Sequence, residues 1–235
     1  MLLYESDSER NLATIDYINQ GLKENHLCVY ASVDAYDQQH LSKISSKIVE
    51  FKENINKRNL IIVNLKPFYD SALMANLTPF EKLKKQIQSR SNNKSVIIVA
   101  DCADNLFQNQ YFDQSELVES WWHHFYNEWV QKDNNQGKYH ITIVCPHLKL
   151  LLSKHPFDKH KCKILDNHSL TIDMAGHTIM TSPTLNKHME KLPYGLQSQP
   201  ILKWNLKHTF SLLNQTRSFG LFIACGFDPR ASRTY

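Results

Sequence analysis

Apolar residues in the first 150 positions fall by turns into short unbroken runs and into stripes three and four apart. The runs are LLY (2–4), LCVYAS (27–32), NLIIVNL (59–65), SVIIVAD (95–101) and YHITIVCPH (139–147). Short runs with little polar interruption predict strands buried on both faces, as in a parallel sheet. Between them, Leu12, Ile15, Ile18 and Leu22 share one helical face, and Ser6 with Glu9 three residues on fits a capping box. Gly21 is placed to end that helix in a left-handed turn. Leu41, Ile44, Ile48, Phe51 and Ile55 predict one further amphipathic helix. Thr78-Pro79-Phe80-Glu81 supplies the next with an N-cap, a first-turn proline and a capping glutamate. Ser115 caps the last, whose Val118, Trp121, Trp122, Phe125 and Trp129 form a bulky stripe.

Five strands alternating with four helices predict an α/β fold, a mostly parallel central sheet of five or more strands flanked by helices on both faces. The loop KPFYDSALMAN after the third strand is long for such a fold, and long loops often carry function. After His147 the pattern loosens. LTIDMAG (170–176) reads as a strand or hairpin arm and 181–200 as a turn-rich linker. Leu202, Leu206, Phe210 and Leu213 mark one more helix, and 218–227 a last strand. The expected division is an α/β domain over 1–155 and a less regular extension over 156–235.

Composition changes this picture in three places. No run of eighteen apolar residues exists, and acids follow LLY at once, so neither a membrane span nor a signal peptide is expected and the protein reads as cytoplasmic. Charge is uneven: residues 1–146 hold 15 Lys and Arg against 18 Asp and Glu, whereas residues 147–235 hold 12 against 5. The basic C-terminal third suits an acidic partner, nucleic acid included. Five widely spaced cysteines with no CxxC read as reduced thiols.

In open parallel sheets ligands bind beyond the carboxyl ends of the strands. Those ends deliver Tyr4, Glu5 and Ser6, then Ser32, Asp34 and Tyr36, then Asn64, Lys66 and Tyr69, then Asp101, Cys102 and Asp104, and finally Cys145 and His147. Tyr4, Tyr36 and Tyr69 would supply aromatic walls, with Glu5, Lys66, Asp101 and His147 fixing orientation. VIIVAD has the apolar run and terminal acid of a Walker B strand, but no GxxxxGK[ST] accompanies it. The first strand–helix corner carries Glu5, Asp7 and Glu9, which would repel nucleotide phosphates rather than cradle them. Asp101, Cys102 and His147 are conceivable as a triad, against the plainer reading of Cys102 as a core thiol. Cys145, His147, His155, His160, Cys162 and His168 cluster within 24 positions, but Cys-x-His and His-x-Cys are too tight for the common zinc spacings. That segment is expected as a solvated basic stretch, and neither a metal nor a cofactor is expected.

LLYESDSERNLATIDYINQGLKENHLCVYASV resembles the start of the MEDS domain, the sensory domain named for methanogens, methylotrophs and the DcmR regulator. Tyr4-Glu5, Gly21-Leu22 and Cys28-Val29-Tyr30 occupy the family's Tyr-Glu, Gly-Leu and Cys-Leu-Tyr places. LVESWWHHFYNEW is similar to its Leu-Glu-x-x-Trp helix through Glu119 and Trp122, and ITIVCPH to its closing strand. The likeness covers about residues 2–155. It implies a RecA- or KaiC-like fold without a P-loop, acting as a non-catalytic sensor of a small organic ligand and signalling to a kinase or regulator. Two other classes stay open: a regulatory protein that uses its basic C-terminal third on nucleic acid or a partner, and a cryptic nucleotide or Cys/His hydrolase.

Overall fold

The apolar runs become strands of two four-stranded, mostly parallel sheets. The computed structural model describes residues 1–92, 94–132, 139–154, 159–168, 170–173 and 178–181. Strands β1 (Leu2–Tyr4), β2 (Leu27–Ser32), β3 (Leu60–Asn64), β4 (Val96–Ala100), β5 (Ile141–Val144) and β6 (Pro146–Leu148) pair in the orders β3-β2-β4-β5 and β6-β1, all parallel. β7 (Leu170–Asp173) continues parallel beside β1, and β8 (Thr178–Thr181) closes that edge antiparallel. The run expected as one closing strand is two. Cys145 separates β5 from β6, and Pro146 has no N–H to give to a ladder. The Cys145 carbonyl instead accepts from the Leu2 N–H at 2.9 Å, so one run of chain serves β4 with its first half and β1 with its second.

Both faces of the inner strands are buried, with the two-residue alternation of a pleated strand. Leu27, Val29, Ala31, Val96, Ile98 and Ala100 face α4 (Lys66–Leu73), α5 (Thr78–Ser91), α6 (Cys102–Gln108) and α7 (Phe112–Lys132). Cys28, Tyr30, Ile97 and Val99 face α1 (Asp7–Lys23) and α2 (Gln38–Ser45). The α7 stripe lies as expected, with Val118 and Phe125 fully buried and the Trp121 indole donating to Glu81 at 2.5 Å.

Local departures have local causes. Gly21 does not end α1; the helix runs to Lys23 and Asn25 takes the left-handed turn, at φ 58°. A Cβ on Gly21 would sit 2.7 Å from both Cys28 Sγ and Ile97 Cδ1, so the glycine is there for close packing on β2 and β4. Leu12 leaves the apolar face and is half exposed. The helix expected over 41–55 is broken into α2 and α3 (Phe51–Asn56), with Glu50 at φ 49°. Asn19 of α1 holds the break: its Nδ2 donates to the Lys47 carbonyl at 3.0 Å and its Oδ1 accepts from the Val49 N–H at 2.8 Å. KPFYDSAL is helix α4, not loop, with Pro67 in its first turn. Helix α5 begins at Thr78, with Leu77 as its N-cap, and α7 begins at Phe112, a turn before Ser115. Ser115 is buried, and its hydroxyl donates to the Ala103 carbonyl of α6 at 2.8 Å. Beyond the closing strands, α8 (Lys149–Lys154) follows β6, and α9 (Lys159–Asp166) packs on α7. The expected linker past Thr181, the helix near 202–213 and the strand near 218–227 lie outside the described residues.

Candidate functional site

The carboxyl ends of β1, β2 and β4 meet α1 and α6 at a buried polar layer. The Tyr4 hydroxyl donates to Asp104 Oδ2 at 2.5 Å, and the Gln108 amide donates to both, at 3.0 Å and 2.8 Å. The other Asp104 oxygen accepts from the Leu148 N–H at 3.0 Å, so one carboxylate of α6 ties β1 to β6. Beside it Asp101 joins β2 to β4: its oxygens accept from the Ser32 hydroxyl at 2.5 Å and from the Val33 N–H at 2.9 Å. Burial nevertheless raises the Asp101 carboxyl to about 6, because those two bonds only partly offset the loss of water. Arg10, reaching over from α1, lies 5.6 Å above the Tyr4 ring and 3.1 Å from Asp7, with its side chain 11% exposed.

The expected edge residues therefore divide. Tyr4, Ser32, Asp101, Cys102 and His147 are buried, whereas Glu5, Asp34, Tyr36 and Lys66 are exposed. Tyr4 and His147 both approach Asp104, and Ser32 and Asp101 bond directly. Glu5 does not turn inward. It starts α1 through its N–H, which donates to Glu9 at 2.8 Å, and its carboxylate pairs with Lys149 at 3.1 Å on the surface. Tyr36, at 68% exposure, is no wall of an enclosed site. Lys66 pairs with Asp70 at 3.4 Å and lies 4.8 Å over the Tyr69 ring, which itself meets Tyr111 edge-on. The Asp101/Cys102/His147 triad does not assemble. Cys102 is a core thiol whose proton is held by burial, and His147 turns its Nε2 to Glu119 at 2.8 Å.

Behind this layer is a second polar group that strand ends alone do not predict. Glu119 from the middle of α7, Cys145 between β5 and β6, and His168 after α9 converge in the interior, with Glu119 1% and His168 8% exposed. One potential ligand atom from each lies within 4.8 Å of the others. Glu119 Oε1 contacts His147 Nε2 at 2.8 Å, and its Oε2 lies 3.2 Å from His168 Nε2. Burial alone would raise Glu119, but the two imidazoles outweigh it and hold the carboxyl well below its usual range. Burial pushes the Cys145 thiol well up, with Glu119 adding to the effect. The expectation of a solvated segment over 145–168 is thus overturned for Cys145, His147 and His168, which are core residues; Cys162 is exposed, and His155 lies outside the described residues.

Arg10, Gln108, Glu119 and His168 are the members of these layers that the strand-end argument passes over. Glu119 is signalled only through the Leu-Glu-x-x-Trp likeness, and Arg10 only by its placement one turn inside α1. The two layers are joined by His147, whose Nδ1 lies 3.8 Å from Asp104. What the fold and geometry define is a parallel α/β protein with a polar layer at its strand ends and a Cys/His/Glu cluster beneath. Compared with protein-family models, with curated proteins and with solved structures, the chain finds no match in any of the three.

Proposed function

We propose that the protein is a non-catalytic sensory module that takes a small organic ligand at the carboxyl edge of its sheet and passes the event to a protein partner, a kinase or regulator, as the MEDS resemblance implies. The observation that carries this reading is Arg10. Its guanidinium is nearly buried at the end of β1, stacked over Tyr4 beside Asp7. A fixed fork of donors next to carboxylate acceptors matches a small molecule that offers both an acceptor and a donor. Phosphate is a poor match, because Glu5, Asp7 and Glu9 surround the corner with negative charge. Thiol catalysis is disfavoured there too, since burial keeps Cys102 protonated. The RecA-like part of the resemblance belongs to the same proposal.

Calorimetric titration of the full chain with a panel of small alcohols, amines, amides and carboxylic acids tests it. Saturable binding by wild type and its loss in Arg10→Ala, with the circular dichroism unchanged, is the expected result. Binding that Arg10→Ala leaves untouched, or silence across the panel, overturns the assignment. The nucleic-acid alternative rests on the basic C-terminal third, most of which lies outside the described residues.

A further inference from the structure

The protonation of His168 can be read from its surroundings. Its Nδ1 lies 2.7 Å from the Ile164 carbonyl, and a carbonyl only accepts, so Nδ1 carries a proton. The neutral ring then presents a bare lone pair at Nε2, and that atom faces Glu119 Oε2 at 3.2 Å. Two lone pairs facing each other in a site with almost no solvent repel unless something positive lies between them. A second proton on His168, which would make an imidazolium–carboxylate pair, would serve. A metal ion would serve as well, and it would also account for the third donor at the same point, the sulfur of Cys145.

We infer that Glu119, Cys145 and His168 form a buried binding site for a divalent cation of the zinc class, with His147 orienting the carboxylate. Four features fit. Thiolate, imidazole and carboxylate together are the mixed donor set that zinc accepts. One thiolate and one carboxylate neutralise a dication, so the filled site carries no net charge into the core. Metal-bound histidines hand their other N–H to a carbonyl or carboxylate, and the Ile164 carbonyl takes that of His168. Tetrahedral bond lengths place neighbouring ligand atoms roughly 3.3–3.8 Å apart, close to the 3.2 Å between Glu119 Oε2 and His168 Nε2.

His147 acts through Glu119 by holding its other oxygen, and its own Nδ1 has no hydrogen-bond partner among the described residues. When the ion binds, the Cys145 S–H bond breaks, the sulfur–metal bond forms and the proton passes to solvent. The ion would join α7, the β5–β6 junction and the segment after α9, three pieces of chain far apart in sequence. The other convergent group, Asp113, Glu116 and His160, is different in kind. It is more exposed, and the Lys163 ammonium already sits on Glu116, so it is an ion-pair network.

The site stands whether or not the strand edge binds a ligand, and its test needs none. Full-length protein is stripped with a chelator under reducing conditions and titrated with cobalt(II) as a spectroscopic stand-in for zinc. The expected result is one equivalent of tightly bound cobalt with a thiolate-to-metal charge-transfer band and the visible bands of tetrahedral cobalt, all displaced by zinc. Cys145→Ser is expected to remove the charge-transfer band, whereas Cys102→Ser and Cys162→Ser retain it. His147→Ala is expected to keep the band and weaken affinity about 10- to 100-fold, as loss of an orienting partner does. If Cys145→Ser does not fold, zinc-edge X-ray absorption of wild type answers instead, through a shell of one sulfur with nitrogen and oxygen. No saturable cobalt or zinc binding by wild type, a band that survives Cys145→Ser, or a shell without sulfur overturns the site.

Discussion

The strand-edge layer and the cluster beneath it are built from the same kinds of residue and treat them in opposite ways. At the edge, each buried acid is answered by donors of the protein itself: Ser32 and Val33 for Asp101, Tyr4, Gln108 and Leu148 for Asp104. In the cluster, His168 commits its Nδ1 proton to Ile164 and turns Nε2 toward Glu119. A layer closed by its own hydrogen bonds can present a shaped, pre-formed surface to a molecule outside. Donor atoms that converge from three parts of the chain can instead hold a cation within. The lesson is that buried polar residues are informative through where their protons point, and less through their number.

The largest break in this comparison comes from Glu119→Ala. It strands two buried imidazoles and opens the α7–β6 contact, and removal of one partner from such a buried group costs about 3–5 kcal/mol. Urea unfolding of the two proteins under matched metal conditions measures it; a cost under about 1 kcal/mol would mean the cluster is not a coupled unit.

The edge layer gives a smaller, pH-dependent effect. Asp101 titrates near 6 in the folded chain against about 3.9 unfolded, so its folded-state pKa is raised. A raised acid stabilises the fold while protonated, below the unfolded value, and that contribution is lost as pH rises through 6. Between about pH 4 and about pH 8 wild type should therefore lose about 2 kcal/mol relative to Asp101→Asn, which cannot ionise. Denaturant midpoints of the pair across that range give the difference directly. A flat difference would place Asp101 in a wetter setting than its burial describes. The smallest effect sharpens the contrast with the surface: Lys149→Ala removes the partner of Glu5 and should change stability by no more than about 0.5 kcal/mol, as exposed ion pairs do.

Much of the fold is legible in the sequence, for definite reasons. β2 and β4 are apolar at nearly every position because both their faces are covered. The stripe from Val118 to Trp129 reads correctly because one helix face is packed along its whole length. The split of 41–55 does not show in its apolar spacing, since the cause is Asn19, a side chain of another helix that takes over two backbone groups. Gly21 misleads because a glycine needed for close approach looks the same in sequence as one needed for a left-handed turn.

The site follows the same rule. Ser32 and Asp101 come together because strand ends in a parallel sheet share an edge. Glu5 and Tyr36 are misplaced because a position just past a strand end can face either way once a helix begins or a turn intervenes. The cluster escapes spacing rules altogether. Those rules describe ligands delivered in tight pairs by one loop, whereas Glu119, Cys145 and His168 arrive from a helix, a strand junction and a helix end. Its visible trace is the concentration of Cys and His between 145 and 168, which spacing alone cannot sort into buried and exposed members.

We infer two layers that are separate in purpose: an outer edge for recognition and an inner point for a cation. A heteronuclear NMR titration of the metal-stripped full chain with zinc tests it most directly. Large shifts are expected at Glu119, Cys145, His147 and His168, with Ser32, Val33 and Asp34 at the far end of the edge layer nearly still. Shifts centred on Asp113, Glu116 and His160, or spread along the acids of the strand edge, would contradict it.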